Sequence, residues 1–204
     1  MAVFEKAIGH VKKWEGGLAN HPNDRGGLTN FGITIGTFKR YAQPVLGIQP
    51  TETNLRNLTW NQAKWIYLQV FWKGMRGDQI NDQDIANILF DAYVNKPGNA
   101  IRLMQESLNR VGQKVVVDNL IGPQTIAAIN RADPKRLFNE YKRARANYYK
   151  ARAANIPDQQ VFLDGWLARI NDFDSFPNTA VTGVAVGAGL LIAGVWWHQS
   201  RQAA

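Results

Sequence analysis

The sequence predicts an α+β fold, predominantly helical, with one small β element and a C-terminal apolar helix of membrane-spanning type. Three observations predict it. Apolar stripes at helical spacing recur along most of the chain, and a single stretch dense in Asn, Asp, Pro and Gly interrupts them in the N-terminal half. The third is a run of 18 residues without a charge, Ala180 to Trp197, near the C-terminal end. Hydrophobic residues make up 45% of the 204, and seven are Trp, which is enough to build a sizeable core.

The first helix follows from Phe4, Ala7, Ile8, Val11 and Trp14, a stripe with i, i+3, i+4, i+7 spacing that Gly16 and Gly17 end. Glu15 is thereby placed at a helix C-terminus. The partial negative charge of the helix end disfavours an ionised carboxyl there, and with burial it raises the carboxyl's pKa, as a proton donor requires. From Leu18 to Thr34 the chain reads as turns and a short β-hairpin. Thr59 and Gln62 form a capping box ahead of the next helix, and Asp82 opens another through Ile85 to Val94. Further helices are expected over Ala100–Val111, Gly122–Asn130, Pro134–Ala154 and Gln160–Ile170. Boundaries are expected at Asn95–Asn99 and Asn171–Asn178.

A net charge of +8 points to a polyanionic partner: nucleic acid, an anionic membrane or an acidic wall polymer. Arg201 is the sole charge after Asp174, so the excess belongs to the body of the chain. The basic residues of the C-terminal half, among them Arg102, Arg145 and Arg152, read either as a solvated helix face or as contacts to muropeptide carboxylates or anionic lipid. No aromatic-basic nucleic-acid motif, zinc finger or helix-turn-helix pattern accompanies the charge, which argues against nucleic acid. The absence of Cys excludes disulfides and thiol chemistry, and His10, His21 and His198 are too scattered for a metal site. No cofactor or metal is expected. Charges at Glu5, Lys6, Lys12 and Lys13 predict that no secretory leader begins the chain.

Cleavage of a glycosidic bond needs a carboxylic acid to protonate the leaving oxygen and usually a second carboxylate to assist water. Glu15 and Asp24 meet that demand, one at a helix end and one in the loop that follows. The string from Trp14 to Thr34 resembles the signature of glycoside hydrolase family 108, E-G-G-x-x-N-x-P-x-D-x-G-G-x-T-x-x-G-I-T, at every fixed position. The family comprises N-acetylmuramidases of phage lysis and bacterial secretion systems. The resemblance implies a lysozyme-like fold, with Glu15 as general acid and Asp24 and Thr29 beside it. Phe71–Ile80 and Ile85–Gln105 are similar to the family's second block, in which Asp91 and Asn95 hold fixed polar positions. Val117–Asn130 resembles the D-G-x-I-G-P-x-T pattern of the associated peptidoglycan-binding region, with Asn119 in place of Gly; Asn tolerates a left-handed backbone next best. Phe162–Asp172 matches the closing G-W-x-x-R helix.

The candidate catalytic residues are thus Glu15, Asp24 and Thr29, and the candidate substrate contacts Asn30, Thr34, Asp91 and Asn95. Two roles stay open for several of them. Asp24 either caps a turn or assists water, Thr29 and Thr34 either hold that water or satisfy loop amides, and Asn95 either binds substrate or caps its helix. Tyr93, Trp72 and Trp166 either stack on sugars or belong to the core.

The implied activity is hydrolysis of the β-1,4 bond between N-acetylmuramic acid and N-acetylglucosamine, in the setting of a phage endolysin. The competing readings are a lytic transglycosylase and a non-catalytic, membrane-tethered wall-binding accessory. Three regions are expected: a catalytic lobe over 1–95, a helical peptidoglycan-binding lobe over 96–175 packed on it, and a membrane segment with tail over 176–204. As a helix the Ala180–Trp197 run would reach roughly 27 Å, close to a bilayer core. Its Gly and Ala content resembles the releasable anchors of some endolysins. The expected partners are peptidoglycan glycan strands, the bacterial inner membrane through Ala180–Trp197, and a holin. The expected location is membrane-associated, acting in the periplasm and cell wall.

Overall fold

A computed structural model of the chain describes residues 1–18 and 27–173. Helix α1 (Phe4–Trp14) buries Phe4, Ala7, Ile8 and Val11, the stripe read from the sequence. It ends at Glu15, whose backbone N–H still donates to the Val11 carbonyl at 2.9 Å while its own backbone turns extended.

Strands β1 (Thr29–Asn30) and β2 (Ile33–Thr34) form the small β element, antiparallel, with Thr29 opposite Thr34 and Asn30 opposite Ile33. Phe31 and Gly32 join them with φ of 46° and 74°, the left-handed pair that a two-residue hairpin matched to strand twist requires. A left-handed Phe is costly. Phe31 is held there by the Tyr67 hydroxyl, which donates to its carbonyl at 3.0 Å, and by an edge-on contact with Trp60 at 5.8 Å.

Thr34 caps α2 (Ile35–Tyr41) by accepting from the Thr37 amide, and Thr51 does the same for α3 (Glu52–Arg56). The Thr59–Gln62 capping box starts α4 (Trp60–Ile66), which runs on into a π-helical turn over Tyr67–Trp72. Asp82 accepts from the Ile85 amide at 2.9 Å and opens α5 (Gln83–Asn95). Helix α5 is buried on most of its faces, which makes it the centre of the fold. Phe4 of α1, Trp72 and Phe90 of α5 form an edge-to-face triangle with centroids 5.5 to 5.9 Å apart. Each such pair contributes about 0.5–1.5 kcal/mol beyond its buried area.

Lys96 alone is extended between α5 and α6 (Pro97–Arg110). After a loop in which Asn119 is left-handed at φ 64° come α7 (Pro123–Arg131), α8 (Pro134–Asn155) and α9 (Leu163–Asn171). The core is continuous, with Leu103, Met104 and Leu108 of α6 and Leu137, Phe138 and Tyr141 of α8 joining the apolar faces of α1 and α5. Just after α9, Asp172 accepts from Lys13 Nζ at 2.5 Å and Trp14 Nε1 at 2.8 Å. These bonds fasten the end of α9 to the end of α1.

The expected fold class is corrected at its C-terminal end. No helix among the described residues is long and apolar enough to cross a membrane, and the expected span Ala180–Trp197 lies outside the described residues. The longest described helix, α8 with 22 residues, carries Arg143, Arg145 and Lys150 along its middle. A single charge at a bilayer centre costs about 2.5–3.5 kcal/mol. The fold is therefore predominantly helical with few strands, and both the membrane-associated localisation and the inner-membrane partner expected from that span are withdrawn.

Candidate active site

The end of α1, the hairpin and α9 converge on Glu15. Its side chain is only 1% exposed although its backbone reaches the surface. The carboxylate lies directly against Gly32 in the hairpin turn. A Cβ on Gly32 would overlap both Glu15 Oε2 and the Tyr67 hydroxyl, so a hydrogen is all that fits there. Glycine is required twice at this position, once for its backbone angle and once for the space the carboxylate occupies.

On the other side stands Arg169 of α9, with Nη2 3.6 Å from Glu15 Oε1 and 2.5 Å from Asp91 Oδ1. Arg169 Nε also donates to Asp91 Oδ1 at 2.7 Å, and Arg145 Nη2 of α8 donates to Asp91 Oδ2 at 2.7 Å. Asp91 is thus gripped by two arginines, all three buried. Burial pushes the Asp91 carboxyl up, but Arg169, Arg145 and His10 outweigh it and hold it at about 2. Burial likewise opposes the charge on both arginines, and Asp91 more than restores it, so each holds its proton more firmly than a solvated arginine.

His10, five residues before Glu15, sits 3.9 Å from Asp91 and 3.5 Å from Asp172, and its ring lies on Phe173 at 3.7 Å. Burial lowers its pKa below the ordinary 6.5, an effect that Asp91 partly offsets.

The remaining candidates divide by position. Asp24 lies outside the described residues. Thr29 is fully buried, its hydroxyl donating to the Gly27 carbonyl at 3.3 Å. The Asn30 amide donates to the carbonyls of Leu55, Arg56 and Leu58 and so ties the hairpin to the end of α3. Asp91 is buried in the arginine pair. Thr34 and Asn95 come together, lining a cleft of about 520 Å³ whose walls include Tyr41, Phe71 and Tyr93. Asn95 keeps one amide bond to the Asp91 carbonyl at 2.8 Å. Of the three aromatic residues left open, Trp72 and Trp166 are core, the latter stacked on Tyr149 at 4.9 Å. Tyr93 is half-buried in the cleft, where burial first and Tyr41 second keep its hydroxyl protonated.

Arg169, Tyr67 and His10 were not among the sequence candidates, and Arg145, expected as a solvated or ligand-facing cation, is instead buried against Asp91. A signal existed for Arg145: it falls in register with Leu137, Phe138, Tyr141 and Ala144, all buried, so a cation occupies the apolar stripe of α8. Arg169 sits likewise beside Trp166 and Ile170 on the buried face of α9. A charge in the apolar register of a helix announces a buried counter-charge.

Comparisons with known proteins bear on this arrangement. Residues 8–96 match the family described as Glycosyl hydrolase 108, and residues 99–171 match the Predicted Peptidoglycan domain. No curated protein matches the chain. Among solved structures, that of Brucella abortus SagA is similar at 29% identity and a TM-score of 0.69, covering 83% of this chain and 90% of that one. A buried carboxyl at the end of the first helix, braced by the hairpin glycine and a cation from the final described helix, lies in a chain of which both parts match wall-directed families. The chain carries a glycosyl hydrolase 108 domain over residues 8–96 followed by a predicted peptidoglycan domain over 99–171, and it is a glycoside hydrolase that acts on peptidoglycan.

Proposed function

We propose that the chain hydrolyses the β-1,4 bond between N-acetylmuramic acid and N-acetylglucosamine, with Glu15 protonating the leaving oxygen. The observation that carries this reading is the seat of Glu15, a shielded carboxyl at a helix end, positioned by Gly32 and Arg169. A general acid must be held in a fixed position and kept from bulk water, and the burial of Glu15 between Gly32 and Arg169 supports that role. Asp91 is not available to activate water, because both its oxygens are engaged by arginines. That leaves Asp24, on the motif's resemblance, to assist water, with Thr29 beside it. Thr34 and Asn95 contribute to the sugar cleft, and Asn30 acts on substrate through the hairpin it anchors.

Turbidity of purified sacculi tests the acid: Glu15→Gln lowers the rate at least about 100-fold. Unchanged clearing by a folded Glu15→Gln protein rejects it. Mass spectrometry of the products tests the reaction, since hydrolysis leaves reducing N-acetylmuramic acid and a transglycosylase leaves its anhydro form. The setting we propose is that of a phage endolysin, supported by the motif's resemblance to phage lysis enzymes. Its test is lysis of expressing cells once their inner membrane is permeabilised.

A further inference from the structure

Two depressions share Tyr93 and Pro97 as a common rim. The first is the cleft of about 520 Å³ that holds Thr34 and Asn95; Arg40 and Lys96 also line it. The second, about 400 Å³, lies between the Gly74–Arg76 turn and the Asn119–Gly122 loop that leads into α7. It joins the region matched to the hydrolase family with the region matched to the peptidoglycan domain. Both of its facing walls carry a left-handed residue other than glycine, Arg76 at φ 56° and Asn119 at φ 64°. For Arg76 such backbone is costly and is retained where neighbouring structure holds a residue in a set position, while Asn119 accepts it readily.

The charges of the two depressions are of one sign. Arg40, Lys96 and Arg76 line them, and no Asp or Glu does. Among the described residues none of these three cations makes a salt bridge; Arg40 only lies over the Tyr41 ring at 5.5 Å. A third depression, beside α6 and α8, shows the contrast. Its Arg102, Arg110 and Arg143 are paired with Glu106 and Glu140.

The sugar backbone of an intact wall strand offers these cations hydrogen-bond acceptors but no counter-charge. Its hydroxyls and acetamides are neutral, and the lactyl carboxyl of each N-acetylmuramic acid is tied up as an amide to the stem peptide. The negative charge of the strand sits on the peptides. We propose that Arg40, Lys96 and Arg76 bind the carboxylates of the stem peptide, so that the enzyme reads peptide-bearing strands across both depressions while the sugars run past Thr34 and Asn95. Tyr93 is the shared wall over which the peptide crosses from one depression to the other. Arg76 presents a planar fork suited to a carboxylate. The inference rests on peptidoglycan being the substrate but not on the identity of the general acid.

The test is co-sedimentation on ice of the full chain with two forms of purified sacculi: native, and with their peptide carboxyls amidated by carbodiimide and ammonia. Arg40→Gln/Arg76→Gln/Lys96→Gln weakens binding to native sacculi about tenfold at low salt, the effect of removing three partly exposed ion pairs. A control of equal charge, Lys6→Gln/Lys114→Gln/Lys135→Gln, takes its cations from outside the depressions and changes binding less than about twofold. On amidated sacculi the cleft variant binds like the wild type. Equal weakening by both variants, or the same cleft-variant deficit on amidated sacculi, overturns the proposal. Clearing of native sacculi by the wild type, with its products identified, is read separately and tests the proposed muramidase reaction.

Discussion

Arg169 stands between two carboxylates and holds them unequally: Asp91 at 2.5 Å and Glu15 at 3.6 Å. With Glu15 as the proposed donor, the inequality has a chemical use. A cation in full contact with Glu15 would keep it ionised and useless as a donor. One drawn off by Asp91 can orient the carboxyl while its charge is largely answered elsewhere. Asp91, with Arg145 behind it, sets how much positive charge Glu15 feels.

The first prediction concerns Arg169. In Arg169→Lys the charge is kept but the fork that grips Asp91 while facing Glu15 is lost, and kcat on soluble glycan falls by about 10-fold or more with KM little changed. The alkaline limb of the pH profile moves upward in Arg169→Met, because removing a cation makes a neighbouring carboxyl hold its proton longer. A rate loss with an unmoved limb would reduce Arg169 to a structural role.

Asp91 governs stability at low pH. Its folded pKa of about 2 lies below the ordinary 3.8, so its contribution is complete above pH 4 and is lost as pH falls toward 2. The difference is worth about 2 kcal/mol. Asp91→Asn leaves two buried arginines facing each other and costs about 3–5 kcal/mol, measured by urea unfolding at pH 7. The mutant's stability loses Asp91's share of the acid slope between pH 4 and 2 and keeps the part due to other carboxyls with lowered pKa, Asp172 among them.

Gly32→Ala places a methyl where the Glu15 carboxylate and the Tyr67 hydroxyl already lie, on a backbone at φ 74°. Displacing the acid by about 1 Å lowers kcat by about 100-fold. Because Gly32 is buried, the melting temperature falls as well, and kcat is read per folded molecule. An unchanged kcat in folded Gly32→Ala protein would count against the positioning of Glu15 by this contact.

His10 imposes a milder pH dependence. Its folded pKa is lowered, so the unfolded chain takes up the proton first and stability declines as pH drops below 6.5. The groups facing it are Asp91 and Asp172, which favour its charge, and Arg169 and Arg145, which oppose it. His10→Gln flattens the stability slope between pH 6.5 and 5 in thermal melts; an unchanged slope assigns the titration to another group.

Local features of the fold were legible because local spacing dictates them. The stripe from Phe4 to Trp14 and the glycines after Glu15 define a helix and its stop, and Thr59, Gln62 and Asp82 mark helix starts by side chains that reach only three residues. Asn119 stands where a left-handed residue was expected and is left-handed. The arginine grip on Asp91 was not legible. Its partners come from α5, α8 and α9, and no sequence period links positions 91, 145 and 169. The π-helical turn at Tyr67–Trp72 was missed for a related reason. It allows Tyr67 to reach Phe31 and Phe71 to line the cleft, a tertiary demand that overrides local helical preference.

The route by which Arg169 arrives has a temporal consequence. A ribosome that has completed α8 has already released Glu15, Asp91 and Arg145 into the growing chain, but not the guanidinium that sits between the first two. Until α9 emerges and Asp172 latches onto Lys13 and Trp14, the donor carboxyl lacks its brace. If Glu15 is the donor as proposed, a nascent polypeptide therefore stays catalytically unfinished until the final described helix has been translated.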